Sequence, residues 1–180
     1  MYDAKRLIGK EADQEDVIEL QNRALDFDVI AGQDGECLVK VPNREPVRIE
    51  HISSFVLEGM KLIVEKHFDK QFHNLKAVVT VPAYFNNAQK MATESAAKIA
   101  GLELLRLITE PTAAAMAARL HEEESADDDQ MVVVFDWGGG TFDISVLSIE
   151  KDTISVEAIQ GDMNLGGRDL DELMAKHCLE

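Results

Sequence analysis

The stretch VVVFDWGGGTFD, from Val132 to Asp143, constrains this chain more than any other, because it reads as two strands meeting at a bend that has no side chains. Val132 to Phe135 is an uninterrupted apolar run, the pattern of a strand buried on both faces, and Phe142 to Ile149 is β-branched enough to be its antiparallel partner. Gly138, Gly139 and Gly140 remove every Cβ at the bend, so positive φ is open to the backbone and an anion can approach several N–H groups at once. Asp136 and Asp143 flank the bend, and Thr141 adds a hydroxyl. Backbone donors suit phosphate oxygens, whereas paired carboxylates suit a hard cation such as Mg²⁺, which keeps most of its waters and meets protein carboxylates sparingly. The combination specifies a phosphate and metal clamp, where a plain glycine turn needs none of these flanking groups. Neither G-x-x-x-x-G-K-[ST] nor a G-x-G-x-x-G opening a helix is present, which excludes the two commoner nucleotide loops.

Upstream, residues 1–49 read as a small mixed unit, with strands at Ala24–Ala31, Cys37–Val41 and Val47–Ile49 around two turn-rich segments. Ile52, Phe55, Val56, Met60, Ile63 and Val64 recur at helical spacing, so His51 to Phe68 is expected to be an amphipathic helix with His67 at the edge of the core. Ala77–Val81 reads as a buried strand ending at Pro82, and Asn86 with Gln89 forms a capping box that opens a helix closed by Gly101. A strand at Leu104–Ile108 leads into an alanine-rich helix with Pro111 at its first position, running to residue 119 or 120. Glu110 therefore falls at a strand-to-helix junction, where a carboxylate gains about 0.3 to 1 kcal/mol from the helix dipole. The acidic run Glu122–Asp129 reads as a solvated connector, Thr153–Ile159 as a third strand, and Leu170, Leu173, Met174, His177 and Cys178 as one face of a last helix after Gly166 and Gly167. Four segments result: 1–49 and 50–125 for the outer part and core of a first lobe, 126–165 for the start of a second, and 166–180 for a hinge and helix.

At 180 residues the chain suffices for a domain that buries about 70% of its unfolded surface. A net charge of -16 argues against nucleic acid and anionic membranes as partners, since either requires a basic stripe. Cys37 and Cys178 form no C-x-x-C, which excludes a disulfide framework or a zinc site. No apolar leader, transit sequence or membrane-length run is visible, so a cytoplasmic location is expected.

FDWGGGTFD resembles the second phosphate-binding hairpin of the seventy-kilodalton heat-shock chaperones, the DnaK-type family. DAKRLIG at Asp3–Gly9, VVTVPAYFN at Val78–Asn86, IAGL at Ile99–Leu102, ITEPTAAA at Ile108–Ala115 and GD..LGG.D at Gly161–Asp169 follow the family's order, so the resemblance spans nearly the whole chain. It implies an α/β fold of the actin, hexokinase and heat-shock-chaperone ATPase type, two-lobed and here partial. It also implies ATP hydrolysed to ADP with Mg²⁺, and K⁺ as a further cation. By the same resemblance Lys5 reaches the terminal phosphate and the attacking water, and Glu110, Asp136 and Asp143 hold the metal's water shell. Gly138, Gly139, Gly140 and Thr141 bind phosphate, Gly166 and Gly167 form the hinge beside the nucleotide, and Pro82, Lys90 and Arg106 couple nucleotide to partners. Those partners are J-domain co-chaperones, nucleotide-exchange factors and, through a further domain, unfolded polypeptide.

The sequence departs from the family's pattern at Trp137, where leucine is usual, Lys90 for arginine, Thr109 for asparagine and Arg168 for glutamate. Trp137 is expected to crowd the clamp or repack its floor. Nothing before Asp3 corresponds to the family's first phosphate loop, so the isolated segment is expected to be a poor ATPase. Two other classes compete. A small-molecule kinase of the same superfamily lacks a segment for its substrate pocket, and a catalytically inactive chaperone-like protein would act through protein contacts alone.

Overall fold

The computed structural model describes residues 3–25, 27–118, 130–150 and 153–179, and it divides into two compact units. Met1–Val79 with Phe85–Leu107 make the first, and Thr80–Tyr84 with Ile108–Glu180 the second. The acidic run at 122–129 lies outside the described residues.

The first unit opens with a four-residue helix, α1 (Ala4–Leu7), then α2 (Glu15–Ala24). Three short strands follow, β1 (Val29–Ala31), β2 (Cys37–Val39) and β3 (Val47–Arg48), forming an antiparallel sheet in that order. The strand expected from Ala24 begins only at Val29, and Ala24 is instead the last residue of α2, a helix the sequence reading passed over. Its pattern is mostly polar, and among its described side chains only Val17 and Leu20 turn inward to a buried position. Helix α3 (Ile49–Phe68) starts two residues earlier than expected and packs on α1 and on α4 (Asn87–Ile99).

α3's expected core stripe is largely wet. Phe55, Val56, Met60 and Ile63 are all exposed, and the buried positions are Ile49 and Ser54, whose hydroxyl donates to the His51 carbonyl at 2.8 Å. Periodicity located the helix but not the face that neighbours cover. His67 is likewise exposed, standing edge-on to Phe68.

Strands β4 (Leu75–Val81) and β5 (Leu102–Thr109) form a two-stranded sheet, joined in sequence by α4. β4 alternates instead of being buried throughout: Val78 is exposed and Val81 buried, because a strand in so small a sheet is covered on one face at most. The capping box of α4 is present in both halves, the Asn86 side chain accepting from the Gln89 N–H at 2.9 Å and Gln89 Oε1 accepting from the Asn86 N–H at 3.1 Å. Gly101 takes φ +70 just past the helix end, as a terminating glycine should. Gly9, at φ +67, lies against the first turn of α4: a Cβ on it would fall 2.5 Å from the Gln89 Cα.

The second unit is a sandwich of one helix on one sheet. β6 (Gln130–Trp137), β7 (Phe142–Glu150) and β8 (Thr153–Asp162) run antiparallel in sequence order, and α5 (Glu110–Ala117) covers one face. Ala115, Leu147 and Ile149 form the core, with Val132, Val134 and Ile154 packed on it. The β6 run is therefore not buried on both faces. Met131, Val133, Phe135 and Trp137 occupy the opposite side and are exposed. A last helix, α6 (Gly167–Leu179), has no buried residue, so its expected apolar face of Leu170, Leu173, Met174, His177 and Cys178 is exposed as well. No helix of the described chain is long and apolar enough to cross a membrane.

Candidate phosphate and metal site

The register of β6 and β7 places Asp136 directly opposite Asp143, so both carboxylates leave adjacent strands on the same face of the sheet. Along the same rows lie Val132 and Val134, Ser145 and Leu147, and this is the face that α5 covers. α5 begins with Glu110, a third carboxylate. Asp143 is buried at 9% exposure, while Asp136 and Glu110 are half-buried. On β8 the residue paired with Asp143 is Gly161, where a Cβ would stand 2.3 Å from the Phe142 carbonyl oxygen and 3.1 Å from Asp143 Oδ1. Glycine there makes the seat for the carboxylate. Like charges directly opposite across two strands are destabilising, so the fold carries the Asp136–Asp143 pair at a cost.

Gly138 and Gly139 do not take positive φ, contrary to the expectation from the sequence. Their smallness serves close approach. The Gly138 carbonyl accepts from the Gly167 N–H at 3.0 Å and the Gly139 carbonyl from the Arg168 N–H at 2.9 Å, so the hairpin tip sits on the first turn of α6. A Cβ on Gly166 would fall 2.5 Å from the Gly139 carbonyl carbon and the Gly140 nitrogen. The Gly138 N–H is spent on the Thr141 carbonyl at 3.0 Å, whereas the Gly139 N–H has no hydrogen-bond partner among the described residues.

Tyr84 completes the cluster, and sequence reasoning missed it. It follows Pro82, which is fully buried, and its hydroxyl is shielded from solvent. Burial pushes the phenol's pKa well up, and Asp143, Glu110 and Asp136 push it the same way, with the Thr141 side chain opposing them. Charges on β6, β7 and α5 of the second unit thus act on one hydroxyl. The signal was present as a tyrosine two residues after the strand-ending proline, but nothing in its type marks such a residue as functional.

Among the described residues no three His, Cys, Asp or Glu side chains stand close enough to ligate a metal directly. The carboxylates present suit a cation held through its water shell, which is how Mg²⁺ is commonly met. Of the remaining positions singled out in the sequence, Pro82 belongs to the second unit, while Lys5, Lys90 and Arg106 belong to the first. Lys5 is exposed on α1, Arg106 is exposed on β5, and Lys90 is half-buried in the first turn of α4. Trp137 does not crowd the clamp: it lies on the face opposite the carboxylates, with Phe135 and Phe142 at ring-centre distances of 6.5 and 6.1 Å. Thr109 keeps the capping duty of an asparagine, its Oγ1 accepting from the Thr112 N–H at 3.4 Å, which makes Glu110 the first residue of α5 and moves Pro111 to the second. Arg168 is met by Glu172 on its own helix, Nε to Oε1 at 3.2 Å.

A family profile described as "Hsp70 protein" matches residues 1–180. The chain belongs to the Hsp70 family. It is 42% identical to the "Heat shock cognate HSP70 protein" of Trypanosoma brucei brucei over 99% of its length, and 40% identical to the "Chaperone protein DnaK" of Anaplasma marginale (strain St. Maries) over 100%. It spans 26% of the length of each of those two Hsp70 relatives.

Proposed function

We propose that this Hsp70 segment supplies one side of an ATP and Mg²⁺ site in a chaperone ATPase domain of the two-lobed, actin-like kind. The observation that carries the reading is the like-charged pair Asp136 and Asp143, set opposite each other beside a Gly139 N–H that has no partner among the described residues and a hydroxyl at Thr141. A fold gains nothing by pairing two aspartates across strands, but a hydrated cation between phosphate and protein offsets their repulsion. Bound there through water, Mg²⁺ would neutralise charge on the phosphates. Gly139 and Thr141 would donate to phosphate oxygens, and Asp136, Asp143 and Glu110 would accept from the cation's waters; the role of Lys5 toward the attacking water rests on family membership alone. Phosphoryl transfer to water is mostly positioning and electrostatics, and these residues are sufficient in type for their share of it. Chaperone activity, coupling through Pro82, Lys90 and Arg106, and J-domain, exchange-factor and unfolded-polypeptide partners are part of the same proposal, supported by family membership. Calorimetric titration of the chain with ADP, with and without Mg²⁺, tests it. Mg²⁺-dependent binding that Asp143→Asn weakens is the expected result, and binding indifferent to both would sink it.

A further inference from the structure

A cavity of about 370 Å³ lies wholly within the first unit, at the small end of the range that ligand sites occupy. Leu7, Cys37, Ile49 and Ala92 make its floor, and all four are buried. The Cys37 thiol, on a residue 3% exposed, lines it without a hydrogen-bond partner among the described residues. Around this floor stand four carboxylates, Glu11, Asp34, Glu36 and Glu50, and two cations, Lys10 and Arg48.

Both cations are already engaged. Lys10 Nζ pairs with Asp16, which is not part of the cavity lining, and Arg48 meets Glu36 and Glu50 with one nitrogen each at 3.4 Å. Glu36 also accepts from the Asp34 N–H at 3.1 Å. Glu11 and Asp34 are left as exposed carboxylates with no ion-pair partner among the described residues. Glu11 stands opposite Glu36 in an antiparallel bridge, and like charges directly opposite are destabilising. The fold carries this arrangement at a cost that a bound cation offsets. A metal ion is the wrong cation, because no three His, Cys, Asp or Glu side chains among the described residues are placed to ligate one, and the floor offers carbon where a hard ion needs oxygen. An alkylammonium matches both layers, its head donating to carboxylates at the mouth and its methylenes covering the floor.

We propose that this cavity is a binding site for a small aliphatic amine in its ammonium form, with Glu11 and Asp34 as the counter-charges. It is independent of the phosphate site, which belongs to the second unit.

Titration of the whole chain with n-butylammonium chloride, at ionic strength held constant with sodium chloride and followed by backbone amide shifts, tests it. Saturable shifts are expected at Cys37, Glu50 and Ala92, while Gly139 and Gly167 stay unmoved. Ammonium chloride, which has the head without the stem, is expected to bind at least about tenfold more weakly. Glu11→Gln combined with Asp34→Asn, two exposed positions where the fold tolerates change, is expected to weaken n-butylammonium by at least about tenfold. Shifts that spread over the acidic surface without saturating would show a counterion atmosphere and overturn the proposal. An unchanged affinity in the double variant, or an ammonium ion bound as tightly as n-butylammonium, would overturn it too.

Discussion

Asp143→Asn separates two roles that a single residue seldom lets one separate. The carboxylate is buried opposite Asp136, so removing its charge relieves a cross-strand repulsion and should raise stability by about 0.2 to 1 kcal/mol. The same change should weaken Mg·ADP binding at least about tenfold, or 1.4 kcal/mol. Thermal melts and titrations moving in opposite directions are the expected outcome; a lower melting temperature with unchanged binding would make Asp143 a structural residue. Cys37 offers a second test at this scale. Burial raises its thiol pKa from 9.0 to about 11, with Lys10 opposing. The folded state therefore holds the proton more tightly than the unfolded chain, and this contribution to stability is intact below pH 9 and lost as pH rises towards about 11. Urea midpoints should fall between those pH values in the native sequence and fall less in Cys37→Ala. Type and spacing singled out Asp136 and Asp143, and the strand register sets the two carboxylates opposite each other. Tyr84 was not singled out, because its meaning is the company it keeps, and three of its four neighbours lie more than fifty residues away in sequence.

Elements were legible in proportion to their punctuation. α4 was bounded correctly because both ends carry chemistry: a reciprocal cap at Asn86 and Gln89, and a glycine at positive φ beyond the last turn. Asn86→Ala should cost about 1 kcal/mol, seen as a shifted denaturation midpoint with an unchanged slope. α2 carries no such signal, having no side-chain cap, and its ten residues were taken for loop and strand. The glycine triad was located correctly, and of the two properties read from it, positive φ and a bend without Cβ atoms, Gly138 and Gly139 use the second. Positive φ was expected, whereas the tip uses its lack of side chains to lie against the start of α6. Gly166→Ala pushes a Cβ into backbone atoms at 2.5 Å, which no rotamer change can relieve. The hairpin tip should therefore separate from α6, and amide exchange at Gly167 and Arg168 should rise by orders of magnitude while β4 and α4 stay protected. Unchanged exchange at those two amides would show that the contact is not needed.

Across the whole molecule, the order of motifs was readable and burial was not, because burial depends on what packs against a face. β6 shows the consequence most clearly. Met131, Val133, Phe135 and Trp137 form an apolar row on the face that α5 leaves bare, each between 49% and 65% exposed, and β6 is an edge of its sheet. An exposed apolar row on an unpaired edge is a surface for self-association. The net charge of -16 acts against this, since copies repel at low ionic strength. Screening falls to a length of about 8 Å at physiological salt, beyond which the repulsion no longer holds copies apart, so association should grow with salt. Light scattering across a concentration series is expected to show a rising mass at high salt for the native sequence, and Val133→Lys should suppress it by placing a charge in the middle of the row. Val78→Lys is the comparison: Val78 is also exposed on a strand, in the two-stranded sheet of the first unit. Suppression by Val78→Lys alone would move the sticky surface to β4, and a monomer at every salt concentration would show that the row on β6 does not drive association.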